Sequence, residues 1–443
     1  MSETVSYVEG QKTEQIQPLQ IASGWTFGIV VLAFAAVFVL RRPDCVMNPQ
    51  FWAEDGSIIF RDQLVKGWLA ALSIPYRGYF PLLGRLVAGP ASAFPIRFAP
   101  LIYNVCGVLI DSGCSALFFL PRFRSFIKSD LTRLVLCCLA VSAFQTTELV
   151  GALSNSMWYL LLGGILLVLL PPKVDMQLRP GIGVGWCLCG LLIGACAPMV
   201  VVGLPIAIYQ IVRNFRRGGV ISFAITSAAL AQTLFAALSS RGLHLARPGV
   251  KTIAMAMIGA FAYKVILQAL LGASTAFKIA AAKEHGYVIS ALLVTTIWLI
   301  WLTVTSRHSR REVLVPVYLM FGSMLMPFIG RDEAQFFANL GSVDLRGERY
   351  FLLASCVFAY LVAYTLDRVV SNRYGVLKAL VLVIIFAGGL SGNFHANRFE
   401  DLDWQANAKR IEGWAQLRDA GKRAPAVSVR INPPGWSIDL PSI

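Results

Sequence analysis

What most constrains this chain is a succession of long apolar runs with almost no charge inside them. Eleven could serve as membrane crossings: Ile21–Leu40, Pro100–Leu120, Leu134–Val150, Ser156–Leu170, Gly181–Ala195, Met199–Val212, Val220–Leu238, Tyr287–Thr305, Val313–Phe328, Tyr350–Leu366 and Val376–Leu390. A standard crossing takes about 20 residues, so several of these are short. Of the 443 residues 56% are hydrophobic and only 14% charged, against about 25% charged in an average soluble domain. So few charges cannot cover a water-facing surface, which excludes a soluble enzyme and a disordered chain. The expected fold class is an all-α integral membrane protein of about 11 transmembrane helices, with a range of roughly 10–13.

The net charge of +15 invites a nucleic-acid reading, and the positions of the charges remove it. With the N-terminus inside, six short segments carry 16 Lys and Arg against 7 acids, among them Arg122, Arg124, Lys128 and Arg133, then Arg307, Arg310 and Arg311. Short basic loops mark the cytoplasmic side. The longer segments 41–99, 239–286, 330–349 and 391–443 mix both signs and fall outside. Arg41 and Arg42 directly follow the first run and locally argue for the opposite orientation; the later loops outvote them. Gly181–Val212 is interrupted by Pro198 and Pro205 and reads as one kinked helix or a short hairpin, with charge parity favouring the hairpin. Lys264 lies in a further apolar stretch, expected to be a re-entrant or surface helix rather than a twelfth crossing. Residues 1–390 then form the membrane domain, and 391–443 a short outer tail.

Other compositional signals are weak. Eight of the nine Cys lie in apolar runs, which is no disulfide framework. His244, His285, His308 and His395 show no ligand spacing. Residues Met1–Gln20 are polar and lack a basic n-region, so the first run reads as an uncleaved span rather than a signal peptide.

The segment 41–99 is the most informative. Phe60, Leu64, Trp68 and Leu72 recur every fourth residue, while Arg61, Asp62 and Lys66 take other faces. The spacing predicts an amphipathic helix lying on the bilayer. A second such helix is expected from Tyr79 to about Ala93, after a "SIPYRGY" turn that presents Arg77 and Tyr79. Glu54 and Asp55 precede the first helix. Asp55 could cap it, and an acid held at a bilayer surface could equally take a proton from an acceptor hydroxyl.

At these residues, "FWAEDG", the chain resembles the GT-C superfamily of polytopic membrane glycosyltransferases, whose first outer loop carries an acidic catalytic residue. "ELVGALSNSMWYLLL", "ACAPMVVVGLPIAIYQIVRNFRR" and "GERYFLL" resemble further family segments in matching order. The motifs cover about 50 residues, and the tail is shorter than the soluble domain of some members. The resemblance implies inverting sugar transfer on the extracytoplasmic face of a bacterial inner or plasma membrane. The donor would be a polyprenyl-phosphate sugar and the acceptor a glycan or lipid, with membrane lipids as the surroundings and no nucleic acid. Asp55, or else Glu54, would be the general base. Arg349 is the first candidate to meet the leaving phosphate, and Arg346, Lys264, Arg247 and Lys251 are weaker ones. Glu148, Asn155, Trp158, Tyr350, Tyr79 and Arg77 complete the expected substrate-binding set.

A nucleotide sugar is disfavoured independently, because no Gly-rich phosphate loop, no clear Asp-x-Asp metal motif and no cytoplasmic domain is present. No motif calls for a cofactor, and a divalent metal stays an open option, with Asp332 and Glu333 as a second acidic pair. Asp111, mid-span, reads as a structural hydrogen bond before a catalytic group. Trp404, Trp414 and Trp436 are expected to anchor the tail to the membrane surface. Two rival classes remain: a transporter or flippase of a lipid-linked glycan, and a glycan polymerase or ligase.

Overall fold

The computed structural model describes residues 24–144, 148–172, 180–215, 218–239, 249–282, 285–306, 309–330 and 347–443. These are mostly helical, as membrane depth demands of a chain that must satisfy its own backbone polar groups. Six helices are long and apolar enough to cross a membrane: Ile96–Phe119, Gly219–Leu238, Val250–Leu271, Gly286–Thr305, Arg311–Phe328 and Glu348–Val369. The number rises to eight if each of two bent pairs is one crossing, and Trp25–Arg41 and Leu153–Leu169 are shorter apolar helices. The chain is thus built as a multi-pass membrane protein.

Their burial differs with position. The Glu348–Val369 helix is mostly enclosed by its neighbours, whereas Gly286–Thr305 turns Ile289, Leu293, Ile297 and Ile300 outward. Lipid is as apolar as these side chains, so close packing decides where helices meet. The tightest meeting is backbone on backbone: a Cβ on Gly194 would stand 1.9 Å from the Ile225 carbonyl oxygen, and one on Gly389 2.0 Å from that of Ala269.

Two apolar segments differ from expectation or resolve it. Gly181–Cys196 and Pro198–Asn214 meet at 115°, a break at Ala197 where Pro198 offers no N–H to continue the helix. The Lys264 stretch is no re-entrant or surface piece; Val250–Leu271 runs as one span-length, largely buried helix with a π-helical turn at Phe261–Leu267.

The segment after the first helix also departs from the amphipathic reading. Gly67, at φ +81°, breaks it into Arg61–Lys66 and Trp68–Leu72, so the four-residue spacing is not carried by one helix. Asp55, Gly56, Ser57, Ile59 and Phe60 are buried under protein rather than laid on a bilayer. Asp62 is buried too, 3.0 Å from Arg85. The second helix runs Leu82–Ala91.

The covering element is the tail. It folds into a helix, Trp404–Asp419, and an antiparallel hairpin, Val427–Ile431 with Trp436–Leu440, so the protein is not wholly α. Trp404 and Trp414 are not membrane anchors. They are buried with Phe51, Phe60, Ile411, Ile431 and Ile438 in a second hydrophobic core. Each such side chain contributes about 1.5–3 kcal/mol on burial. Their indole N–H groups donate to the carbonyls of Arg97 and Pro441.

Arg41 and Arg42 belong to the same end. Arg41 donates to the carbonyls of Val141, Asn393 and Phe394, and Arg42 donates to Val150 and lies 4.1 Å from the Phe399 ring. Both are buried clamps, which explains why they contradict a rule that concerns loop charges facing a membrane surface.

Candidate active site

Glu54 and Asp55 open a helical turn, and neighbouring residues on a helix diverge by about 100°. Asp55 therefore points inward and Glu54 outward. Both Asp55 oxygens accept backbone hydrogen bonds, Oδ2 from Leu153 at 2.9 Å and Oδ1 from Ser154 at 2.8 Å. The carboxylate caps the turn Leu153–Ser156, which leads into the Met157–Leu169 helix. A cap is what Asp55 suggested locally, but it serves a helix almost a hundred residues away. Burial pushes its carboxyl up to about 7, against the pull of the two N–H donors.

Glu54 lines a small pocket with Tyr76, Tyr79, Ser154, Met157 and Cys196. Ser154 thus belongs both to the turn held by Asp55 and to the pocket faced by Glu54. The two tyrosines come from the "SIPYRGY" turn, closed by paired hydrogen bonds between Tyr76 and Tyr79. Gln232 docks that turn, accepting from the Phe80 N–H at 3.2 Å while its amide donates to the Ala195 carbonyl at 2.9 Å.

Beside the pocket the second outer segment meets the start of a late helix. Arg349 Nη1 lies 2.7 Å from Glu148 Oε2, and both side chains keep about a quarter of their surface exposed. Arg349 also donates to the Tyr350 hydroxyl at 3.3 Å. Tyr350 packs edge-on to Trp158 at 4.9 Å, and Asn155 donates to the Glu148 carbonyl. The charges of Glu148 and Glu54 both act on Arg349. Next to Arg349, Glu348 accepts from Gln268 at 3.1 Å with Lys264 Nζ 3.9 Å away, all three buried.

Eight residues expected at the site therefore form one neighbourhood: Glu54, Asp55, Glu148, Asn155, Trp158, Lys264, Arg349 and Tyr350. Tyr79 joins through the pocket. Arg77 does not; it is exposed at the tip of its turn, at φ +47°, with its guanidinium over the Tyr76 ring. Lys251 is exposed at the start of the Val250–Leu271 helix, thirteen residues before Lys264. Arg247, Arg346, Asp332 and Glu333 lie outside the described residues. Asp111 is buried behind the site, next to Ser156. Among the described residues no three His, Cys, Asp or Glu side chains gather as metal ligands.

Sequence reasoning passed over Tyr76, Ser154, Glu348 and Gln268. Tyr76 and Glu348 were within reach, since each stands within three residues of a chosen one. Gln268 carries no local signal, because its partner is 80 residues away. Comparisons with protein-family models, curated proteins and solved structures find no match to this chain.

Proposed function

We propose that this protein is a membrane glycosyltransferase of the GT-C type, moving a sugar from a polyprenyl-phosphate donor to a glycan or lipid acceptor on the extracytoplasmic face. In that reading the long apolar helices, Val250–Leu271 among them, are the crossings, and the site opens at the outer surface. The observation that carries it is the meeting of Glu54, Glu148 and Arg349, from three distant segments, at one end of an apolar bundle. An accessible acid beside a cation is what deprotonating a hydroxyl and releasing a phosphate require.

Glu54 takes the base role here in preference to its neighbour, because a base must touch the acceptor and Glu54 is the acid lining the pocket. Its carboxylate accepts the acceptor's O–H proton. The freed oxygen attacks the anomeric carbon, and the bond from that carbon to the lipid-phosphate oxygen breaks on the opposite face. The leaving oxygen keeps the electron pair, and Arg349 meets its charge. Asp55 is a positioning residue that holds the Leu153–Ser156 turn. Tyr76 and Tyr79 offer ring faces to a sugar.

The test uses the purified full-length chain with a synthetic polyprenyl-phosphate sugar series and candidate acceptors. Transfer by the wild type and its loss in Glu54→Gln, with donor binding kept, is the expected result. Absence of turnover by the wild type, together with transport of a lipid-linked glycan in liposomes, would replace the transferase by the flippase reading. Full activity in Glu54→Gln with loss in Asp55→Asn would return the base role to Asp55.

A further inference from the structure

Two features of the bundle are unused by the proposed reaction. The first is a half-open apolar slot reached by the Ala99–Ala116, Asp130–Ser142, Met157–Leu169, Arg311–Gly330 and Leu352–Val369 helices. Phe118, Phe123, Phe126, Leu166, Leu353 and Tyr360 are among its walls. Ser115 also lines it, but that hydroxyl donates to its own helix at the Asp111 carbonyl, 2.8 Å away. A space so lined gives water too few partners to hold it, and suits an apolar chain.

The second feature is Arg122. Its guanidinium carbon is 5.1 Å from the centroid of Phe123, one of the cavity walls. Among the described residues no acid pairs with it, and its Nε is buried without a hydrogen-bond partner. Its neighbours differ, since Arg124 and Arg133 both bind Asp130. Burial lowers Arg122 only to about 10, so it stays cationic at neutral pH.

We propose that this cavity holds an acyl chain of an anionic phospholipid whose phosphate rests on Arg122. An apolar slot beside an unmatched cation complements an amphiphile with a negative head, and it leaves no reason for a zwitterionic one to compete equally. The sugar donor is a different lipid at a different place. Arg349, proposed to meet its phosphate, opens the Leu352–Val369 helix, whereas Arg122 belongs to the segment whose neighbours Phe118 and Phe126 pack on Tyr360, farther along that helix. The inference therefore holds or fails independently of the transferase reading.

Native mass spectrometry of the full-length protein in mild detergent, titrated with phosphatidylglycerol or phosphatidylcholine, tests it. The wild type should retain one phosphatidylglycerol at least tenfold more readily than phosphatidylcholine. Arg122→Gln should abolish that preference, and Ala140→Phe, which fills the cavity, should abolish retention. Arg373→Gln, which removes an exposed cation beside Tyr374, should leave retention unchanged. Because Ala140→Phe could disturb packing, Arg122→Gln decides the question alone. Equal retention of both lipids by the wild type, an unchanged preference in Arg122→Gln, or displacement of the bound lipid by polyprenyl phosphate would each overturn the proposal.

Discussion

The two polar ends of the bundle are built on opposite principles. At the basic end most charges answer one another. Asp130 is shared by Arg124 and Arg133, Asp367 takes Lys378 at 2.6 Å and the Lys128 N–H at 3.2 Å, and Arg368 reaches the Thr305 carbonyl at 3.0 Å. At the other end Glu54 forms no ion pair among the described residues, and the Glu148–Arg349 pair stays open to solvent. The basic end has the denser charge and the other end has the available charge. Charge count reports orientation, whereas incomplete satisfaction reports chemistry.

The sharpest way to break this contrast is Glu54→Gln, expected to lower transfer by about 10³-fold, within the range of a lost general base. Circular dichroism and detergent stability should be unchanged. Next comes Arg349→Gln, which removes the proposed phosphate contact and should lower kcat by about 10²-fold, with little effect on KM for the acceptor. At the basic end the balance should invert. Lys378→Met leaves Asp367 buried without its cation, and a broken buried pair costs about 3 kcal/mol or more. The thermal midpoint should drop, while turnover per folded molecule stays near wild type. If Lys378→Met costs activity and not stability, the two ends are not specialised as described.

A subtler probe is the pH dependence of Asp55. Its folded pKa, about 7, lies above the ordinary 3.8. The folded state therefore holds a proton that the unfolded chain has lost, and stability declines as pH rises from about 4 to about 7. Against Asp55→Asn, the wild-type midpoint in detergent should fall across that window and run parallel above it. A parallel course throughout would mean that Asp55 is ionised in the fold at every pH tested. Smallest of all, Arg430→Ala removes an exposed pair with Glu400. It should shift stability by less than about 1 kcal/mol and leave transfer intact.

Much of this organisation was legible beforehand, and the failures have one physical origin. Apolar runs and loop charges are local, so the membrane class and the two polar ends could be read from them. The "FWAEDG" acids and the Arg349–Tyr350 start were singled out from the sequence, and the structure places them near one another. What a sequence does not reveal is which surface covers an apolar stripe. The stripe Phe60–Leu64 was assigned to lipid, but Trp404 and the tail hairpin lie over Phe60. The same blindness put Trp414 on the membrane. It also turned Arg41 and Arg42 into a topological conflict, because carbonyls at 141, 150 and 393 cannot be recognised as partners from their own neighbourhoods.

The covering of the first loop by the tail sets an order of events. Asn432 donates its N–H to the Phe51 carbonyl and accepts from Ala53 N–H, so two links close just before Glu54. Gly56 lies so near Ile431 and Ile438 that even a methyl group would collide with them. A ribosome releases residues 51–56 long before it makes 431–438. The stretch 51–56 therefore lacks the hairpin's two links for most of synthesis, although Asp55 can already meet the Leu153 and Ser154 N–H groups. A nascent chain stalled before that point would carry Glu54 and Asp55 without the hairpin that covers them.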